Sequence, residues 1–296
     1  MNQSAPPVSA WLMALLAPLM WGTTYPVTKA WLAGADPLWL ATLRIVVPGL
    51  LMLPLVPWRV WQEKWVQILI LSALNIGIFT ALLFAGIQRL PGGMAATLTS
   101  SMPLQILIIR ALMGHFPAPL QVLSALGGII GVGLLVWQSP TELDWLGVVF
   151  SLLAATTMSV GVLLIPVLGK GIKPLVMTSA QLGLAGIVML VLMLFSGRPF
   201  PQLDTGSVLA LAWLGPVTMG CGYLVWFRAV SHLPVDKLAF LGLVNPVVAV
   251  LAGVLFLQEV LTPVQVAAVV LVLGCVLLAQ HPAAGRTFRR SGKLNA

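Results

Sequence analysis

The feature that most constrains this chain is the recurrence of apolar segments long enough to cross a lipid bilayer, from Trp11 to Gln280. A membrane-spanning helix needs about 20 predominantly apolar residues, so 296 residues accommodate ten such helices joined by short links. Only 7% of the residues are Asp, Glu, Lys or Arg, against about 25% in soluble domains. The sequence therefore predicts an all-α polytopic membrane protein and excludes a soluble globular domain.

The apolar segments also give approximate bounds for the ten helices. Numbered 1 to 10 in chain order, they are predicted over residues 10–31, 37–57, 66–88, 92–112, 119–137, 145–167, 174–195, 207–229, 234–256 and 263–280. The links between them are too short for a domain outside the membrane, and Met1–Ala10 lacks the basic start of a secretory signal peptide. We therefore expect the function to lie within the membrane.

The basic residues predict the orientation of the helices. If the N-terminus is inside, the inner side holds eleven Lys and Arg residues and the outer side holds Lys29, Arg89 and Arg198. Cytoplasmic loops are enriched in Lys and Arg. The sequence thus predicts a multi-pass membrane protein with both termini cytoplasmic. The net charge of +8 is a topology signal and does not indicate nucleic-acid binding.

An internal repeat divides the chain. Pro37-Leu38 and Pro174-Leu175 begin helices 2 and 7 at a spacing of 137 residues, which also separates Gly49 from Gly186. Beyond the Gly197–Gly206 region the spacing becomes 143 residues, and it pairs three further positions: Gly77 with Gly220, Leu90-Pro91 with Leu233-Pro234, and Pro103 with Pro246. A repeat of five helices, an odd number, must be inserted with alternating orientation. We therefore predict two inverted repeats at residues 1–138 and 139–281, followed by a basic cytoplasmic tail at 282–296. This architecture recurs in secondary transporters, with the substrate near the middle of the bilayer between the repeats.

Helix 4 carries a polar stripe. Thr97, Ser101 and Gln105 are spaced at i, i+4 and i+8, which puts them on one helix face. They either line a cavity or bond back to carbonyls of their own helix. Pro103 within this stripe and Pro246 in helix 9 occupy equivalent places, and an interior proline frees a carbonyl and bends the helix. We expect both prolines to act as hinges, the alternative being a kink that serves packing only.

Aromatic side chains form a second candidate group. Trp21 and Tyr25 in helix 1 are one turn apart, as are Tyr223 and Phe227 in helix 8, where Trp226 lies beside them. They are suited to line a pocket for a flat or apolar solute, although aromatic residues at helical spacing also pack protein cores. Of these aromatic residues, Trp21, Tyr25, Tyr223 and Trp226 are predicted to contact the substrate, together with Asn245 of helix 9.

Arg44 is the most informative single residue. It lies about seven residues inside helix 2, where a charge is costly unless it is hydrated or paired, and its repeat mate is Gln181. Arg44 could hold an anionic group of a substrate, such as a carboxylate. Alternatively, it reaches the outer headgroups or caps backbone carbonyls.

Several short motifs carry a family resemblance over nearly the full chain. They are Trp21-Gly22 with Lys29, Arg44, Gly222–Ala229, Asn245-Pro246, and Glu259 with Thr262-Pro263. In their order and spacing the chain resembles the ten-helix EamA-type exporters of the drug/metabolite transporter superfamily. Trp21–Tyr25 and Leu90–Gly93 look most like the branch of pigment (indigoidine) exporters.

The resemblance implies efflux of a small molecule by alternating access, with helices 1–4 and 6–9 lining the cavity. The family usually has a Gly-Glu-Arg-like turn after helices 4 and 9. Here the first copy reads Gly114-His115-Phe116, and only Glu259 of the second remains. A symmetric role for that acid is therefore not expected.

The remaining expectations concern ligands and partners. No cluster of His, Cys and acidic residues with catalytic or metal-binding spacing is evident in the sequence, so we predict no enzyme activity, no metal and no cofactor. Helices 5 and 10 are the least polar and are predicted to face lipid, and Gly127 and Gly131 suit close helix or subunit packing, so a homodimer is possible. A membrane scaffold or assembly protein and a facilitative channel are the alternatives to a small-molecule exporter. The sequence leaves open whether transport is coupled, for example through Glu259, or is facilitated diffusion.

Overall fold

The computed structural model describes residues 8–32, 34–89, 98–135, 144–230, 232–257, 262–281 and 288–289. Within these residues, five helices are long and apolar enough to cross a membrane, and five shorter apolar helices accompany them. They fall on the ten predicted spans, which confirms the polytopic all-α fold.

We number the spans α1 to α10 to match the predicted helices. Their bounds are Val8–Gly22 and Thr24–Trp31 (α1), Pro37–Met52 with the 3-10 turn Leu53–Leu55 (α2), Trp58–Ser72, the π-helical Ala73–Gly77 and Ile78–Arg89 (α3), Met102–Leu112 (α4), Pro119–Leu135 (α5), Trp145–Leu168 (α6), Pro174–Phe195 (α7), Thr205–Ala212, the π-helical Trp213–Cys221 and Gly222–Val230 (α8), Val235–Leu241 and Val244–Leu257 (α9), and Pro263–Gln280 (α10). A short antiparallel pair joins β1 (His115–Phe116) to β2 (Phe288–Arg289).

The helix contacts follow the internal repeat. α2 packs on α7 and α5 packs on α10, each helix meeting its own repeat mate. The contact of α3 with α6 has its counterpart in α8 with α1, and that of α4 with α6 in α9 with α1. The first helix of each repeat therefore packs against helices of the other repeat: α1 against α8 and α9, and α6 against α3 and α4. The packed units are therefore α1, α2, α8 and α9 on one side and α3, α4, α6 and α7 on the other, and they do not coincide with the two sequence halves.

Glycines bring the backbones of α2 and α7 into direct contact at the centre. A Cβ at Gly49 would lie 2.5 Å from the Leu182 carbonyl oxygen, and one at Gly186 would lie 2.9 Å from the Val46 Cα. Gly49 and Gly186 are the pair that the 137-residue spacing had matched. Without a hydrophobic force between helices in lipid, close backbone approach through small residues is a main source of association.

The glycines of α5 also have a partner within the chain. A Cβ at Gly127 would meet the Cys275 Sγ at 2.7 Å, and one at Gly131 would meet Val272 Cγ2 at the same distance. The outward faces of this pair carry exposed Leu123, Ile130 and Leu277. The small-residue stripe therefore packs α5 on α10, and the opposite faces are apolar, as the lipid-facing prediction requires.

Two features of the predicted spans are wrong. α3 begins at Trp58 rather than residue 66, because Arg59, Glu63 and Lys64 do not interrupt the helix: Arg59 and Glu63 form an i, i+4 ion pair on its exposed face. α1, α4 and α9, predicted as continuous, are broken at Thr23, at Ser100-Ser101 and at Gly242-Leu243.

Aspartates begin three helices on the side that the charge pattern predicts to be outside. Asp36, Asp144 and Asp204 each accept a hydrogen bond from a backbone N–H in the first turn of α2, α6 or α8. Asp36 also pairs with Arg198 at 2.7 Å, and Asp144 pairs with Arg89 at 2.9 Å. These contacts join loops that the alternation of spans places on one side.

The α2–α7 contact predicts a specific stability difference. Gly49→Ala should destabilise the fold by about 1–3 kcal/mol because the added methyl group meets backbone that cannot move aside. Gly274→Ala in α10 is the matched control, since its Cβ meets nothing within 4 Å, and it should be neutral or slightly stabilising. Thermal unfolding of the two purified variants in detergent measures the difference; equal midpoints would contradict the close approach.

The Asp36 cap predicts a pH dependence of stability. Partial burial raises the pKa of Asp36, but hydrogen bonds from Trp39 and Leu38 and the Arg198 guanidinium outweigh it, so the pKa lies below its ordinary value of 3.8. A lowered folded-state pKa stabilises the protein above that value, and the gain is lost as the pH falls through it. Asp36→Asn keeps the cap without the charge. It should therefore unfold at a lower temperature than wild type at neutral pH, and the difference should shrink as the pH falls through the lowered pKa of Asp36. A difference that does not shrink in acid would mean that the charge is not its source.

Candidate functional site

Four aromatic rings meet where α1 packs on α8. Trp21 lies 5.2 Å from Tyr223 and 5.4 Å from Trp226 between ring centroids, and Tyr223 lies 5.3 Å from Phe227. Tyr223, Trp226 and Phe227 are buried, whereas Trp21 is half-buried. Gly222 makes room for the Trp21 indole, because a Cβ there would lie 2.8 Å from Trp21 Nε1. The structure thus brings together three predicted residues in what we call the aromatic cluster (Trp21, Tyr223, Trp226 and Phe227).

The aromatic cluster is tied to the π-helical segments of both repeats. Trp21 Nε1 donates to the carbonyl of Thr218 in α8 at 2.8 Å, and Tyr223 Oη donates to the carbonyl of Asn75 in α3 at 3.2 Å. Asn75 and Thr218 are 143 residues apart, so they occupy equivalent places in the repeats. A π-helical turn displaces carbonyls from the regular ladder and often marks functional sites. Here side chains from other helices bond to two of those carbonyls.

Asn75 and Gln181 form a buried polar pair that the sequence analysis did not place in the site. Asn75 Nδ2 donates to Gln181 Oε1 at 3.0 Å, and Ser72 Oγ donates to the Gln181 carbonyl at 2.8 Å. Both amide residues are fully buried, and Gly161 of α6 leaves space for the Asn75 side chain. Two features of the sequence could have indicated this pair. Each residue is a single amide in an apolar stretch of its helix, and Gln181 is the repeat mate of Arg44.

Arg44 of α2 is also buried. Its relative exposure is 6%, its Nη2 donates to Thr24 Oγ1 at 3.4 Å, and its Nε has no hydrogen-bond partner within the described residues. The backbone of Arg44 lies against Gly215 of α8. No described carboxylate forms an ion pair with it. The side chain therefore stays inside the protein instead of reaching the headgroups.

Ser101 and Gln105 form a separate polar group on α4. Gln105 Nε2 donates to Ser101 Oγ at 2.9 Å and to the Leu152 carbonyl of α6 at 3.3 Å, and Ser101 Oγ donates to the Leu98 carbonyl. Gln105 Oε1 is buried without a partner in the part of the chain that is described. The pair lies on one helix face, as its spacing predicts. Among the described residues no hydrogen bond or ring contact joins it to the aromatic cluster.

The two prolines lie at corresponding helix breaks. A turn at Ser100 and Ser101 precedes Met102–Leu112, which puts Pro103 in the first turn of that helix. In the same way, a turn at Gly242 and Leu243 precedes Val244–Leu257, which puts Pro246 in the first turn of that helix. The prolines therefore follow the breaks; they do not lie within continuous helices. A proline in a first turn lacks only an N–H that would have no partner within the helix.

The α1 break lies against the α9 break. A Cβ at Gly22 would lie 2.9 Å from the Asn245 carbonyl oxygen and would also meet Val248 Cβ. Thr23, at the break itself, accepts a hydrogen bond from Trp213 Nε1 of α8 at 2.9 Å. The Trp21-Gly22 and Asn245-Pro246 motifs are thus in contact. Thr97 and Glu259 lie outside the described residues, as does the side chain of Tyr25.

A cavity opens at the ends of α6, α7 and α8 that carry Lys170 and Lys173. Its volume is about 320 Å³, and Ile165, Met177, Phe227 and Val230 are among the side chains that line it. Phe227 connects it to the aromatic cluster. Among the described residues no three His, Cys, Asp or Glu side chains lie close enough to hold a metal ion.

The buried amide pair predicts a measurable coupling. Asn75→Ala and Gln181→Ala should each lower the free energy of unfolding. The double variant should lose less than the sum of the two single losses, because the Asn75–Gln181 hydrogen bond is already lost in each single variant. The coupling energy should be about 0.6–1.7 kcal/mol, the range of hydrogen bonds between membrane helices. A double-mutant cycle of unfolding in detergent measures it, and strict additivity would show that the pair does not interact.

Known proteins match this chain over both repeats. Residues 8–137 and 145–280 each match the EamA-like transporter family. Protein PecM of Dickeya dadantii is 33% identical over 90% of this chain and 91% of its own length. The uncharacterized transporter YvbV of Bacillus subtilis is 26% identical over 91% and 90%. A solved crystal structure with 20% identity superposes with a TM-score of 0.77 over 92% of this chain and 96% of its own, which shows the shared fold. The chain is a membrane protein that belongs to the EamA-like transporter family.

Proposed function

We propose that this protein is a secondary transporter that exports a small metabolite, of amino-acid-like, aromatic or pigment type, across the bacterial inner membrane by alternating access. Both termini are proposed to be cytoplasmic. The substrate contacts the aromatic cluster, Tyr25 and Asn245, and Arg44 orients an acidic group of the solute. Thr97, Ser101 and Gln105 line the path on the α4 side.

The observation that supports this most is the burial of Arg44 without an acidic partner in the described part of the chain. A buried guanidinium with unused donors is costly, and a scaffold that moves no solute gains nothing from it. An anionic solute group would supply both the charge and the acceptors that Arg44 lacks. The side chain reaches Thr24 of α1, and the Arg44 backbone lies against Gly215 of α8.

The arrangement of the breaks supports a rocking motion. α1, α4 and α9 are broken, and the breaks in α4 and α9 precede Pro103 and Pro246 at equivalent repeat positions. Equivalent hinges permit two conformations that exchange the roles of the repeats, one open to each side. The moving units are the two packed groups of four helices, with α2 and α7 in contact at the centre.

Comparison of culture media tests the proposal. Cells that overexpress the wild-type protein should enrich at least one metabolite in the medium, and Arg44→Gln at matched membrane expression should lose the enrichment by about tenfold or more, as expected for a charge-assisted contact. Arg59→Gln is the control for charge: it removes the same charge from a side chain that is 82% exposed and should export normally. Arg44→Lys should be intermediate, because lysine keeps the charge without the planar fork.

Two results would contradict the proposal. Equal export by wild type and Arg44→Gln would remove Arg44 from the site. The absence of any metabolite that depends on the wild-type protein, in cells supplied with aromatic and amino acids, would favour the scaffold.

A further inference from the structure

The cavity at the ends of α6, α7 and α8 has a chemical character of its own. Its wall is apolar: Ile165, Met177, Phe227 and Val230 are buried and present hydrocarbon or ring surface. Its rim carries the exposed Lys170, and none of the described residues that line it is acidic. A volume of about 320 Å³ falls at the lower end of the range for small-molecule sites.

The rim of the cavity favours negative charge. Lys170 lies in the link between α6 and α7, and Pro174, which also lines the cavity, is the first residue of α7. The N-terminus of a helix carries partial positive charge, which adds to that of the ammonium group. A ligand here meets cationic groups at one end and an apolar wall at the other.

The cavity leads toward Arg44 through aromatic rings. Phe227 lines the cavity and contacts Tyr223 at 5.3 Å. Tyr223 in turn contacts Trp21 at 5.2 Å, and Thr24, three residues after Trp21, accepts a hydrogen bond from Arg44 at 3.4 Å. An organic anion entering the cavity therefore finds a cation at the rim, an aromatic wall, and a second cation beyond the rings.

We propose that this cavity is an entry subsite for an apolar, preferably aromatic, organic anion. Lys170 contacts the anionic group, and Phe227 contacts the apolar body. The subsite rests on the proposed transport function for its purpose, because it holds the solute on the side predicted to be cytoplasmic before the solute moves to the aromatic cluster and Arg44. Its binding, however, is measurable without transport.

The test uses the full chain in nanodiscs of zwitterionic lipid, with 1-naphthoate as the anionic probe and 1-naphthalenemethanol as its neutral counterpart. Empty nanodiscs correct for partition into lipid. Lys170→Gln should weaken 1-naphthoate binding about fivefold and leave the neutral probe unchanged, and Lys170→Arg should restore most of the affinity. Phe227→Leu should weaken both probes about three- to tenfold, since it removes an aromatic contact.

Lys173→Gln is the matched control. Lys173 is an exposed lysine of the same link but does not line the cavity, so its loss should change the affinity by less than about twofold, the effect of a screened surface charge. Equal weakening by Lys170→Gln and Lys173→Gln would reduce the effect to general surface charge and overturn the proposal, as would the absence of saturable binding. Phosphatidylglycerol in the discs repels the anionic probe in general, so Lys170→Gln is the reference there. A tenfold loss of 1-naphthoate affinity that occurs in wild type and not in Lys170→Gln would assign the rim to a lipid headgroup and also overturn the proposal.

The same variants separate this proposal from the proposed function. If Lys170-dependent binding is found but no export occurs, the subsite stands and the transport proposal fails. If export occurs and depends on Arg44, but 1-naphthoate binds equally to wild type and Lys170→Gln, the subsite fails and the transport proposal stands.

Discussion

The backbone contact between α2 and α7 is the constraint on which the rest of the structure depends. In lipid, apolar side chains gain little by meeting one another, so helices associate where their backbones approach closely. Gly49 on α2 and Gly186 on α7 permit that approach, one from each helix. Because α2 and α7 meet there, α8 and α3 pack on them in equivalent ways, and α1 and α6 cross to the opposite bundle. Arg44 and Gln181, one on each central helix, are therefore held at equivalent places facing the π-helical segments of α8 and α3.

Those π-helical segments have to satisfy carbonyls that a regular helix would satisfy by itself. Unpaired backbone groups are expensive in the hydrocarbon region, and the chain meets this cost with side chains from neighbouring helices: the Trp21 indole on Thr218 and the Tyr223 hydroxyl on Asn75. The same two rings contact each other. The aromatic residues and the irregular helices therefore occur together, because the rings bond to carbonyls of the π-helical segments. In the proposed function, a solute that displaces either ring also releases one of these carbonyls.

Much of the fold follows from length and periodicity, and the departures have local causes. The spans of α5, α6, α7 and α10 lie within about two residues of their predicted bounds, because composition alone determines which segments can lie in lipid. α3 starts eight residues early, since charged residues at an interface project outward without ending a helix. The breaks at Thr23 and Gly242-Leu243 could not be predicted, because they depend on contacts such as Gly22 against Asn245. For the site, the sequence indicated Trp21, Arg44, Tyr223 and Trp226, but it missed Asn75, whose significance depends on Gln181 more than a hundred residues away.

The sequence by itself determined the number of spans, the repeat and the polar residue types available to the membrane interior, because these depend on hydropathy and spacing along one chain. Only the tertiary structure decided which polar side chains meet. It joined Asn75 to Gln181, left Arg44 without an acidic partner among the described residues, kept Gln105 with Ser101 on α4, and used Gly127 and Gly131 to pack α5 on α10. The physical reason is that a membrane helix satisfies its own backbone whatever its neighbours are. The choice of neighbour is made by small residues and single hydrogen bonds between distant segments, and hydropathy does not encode these contacts.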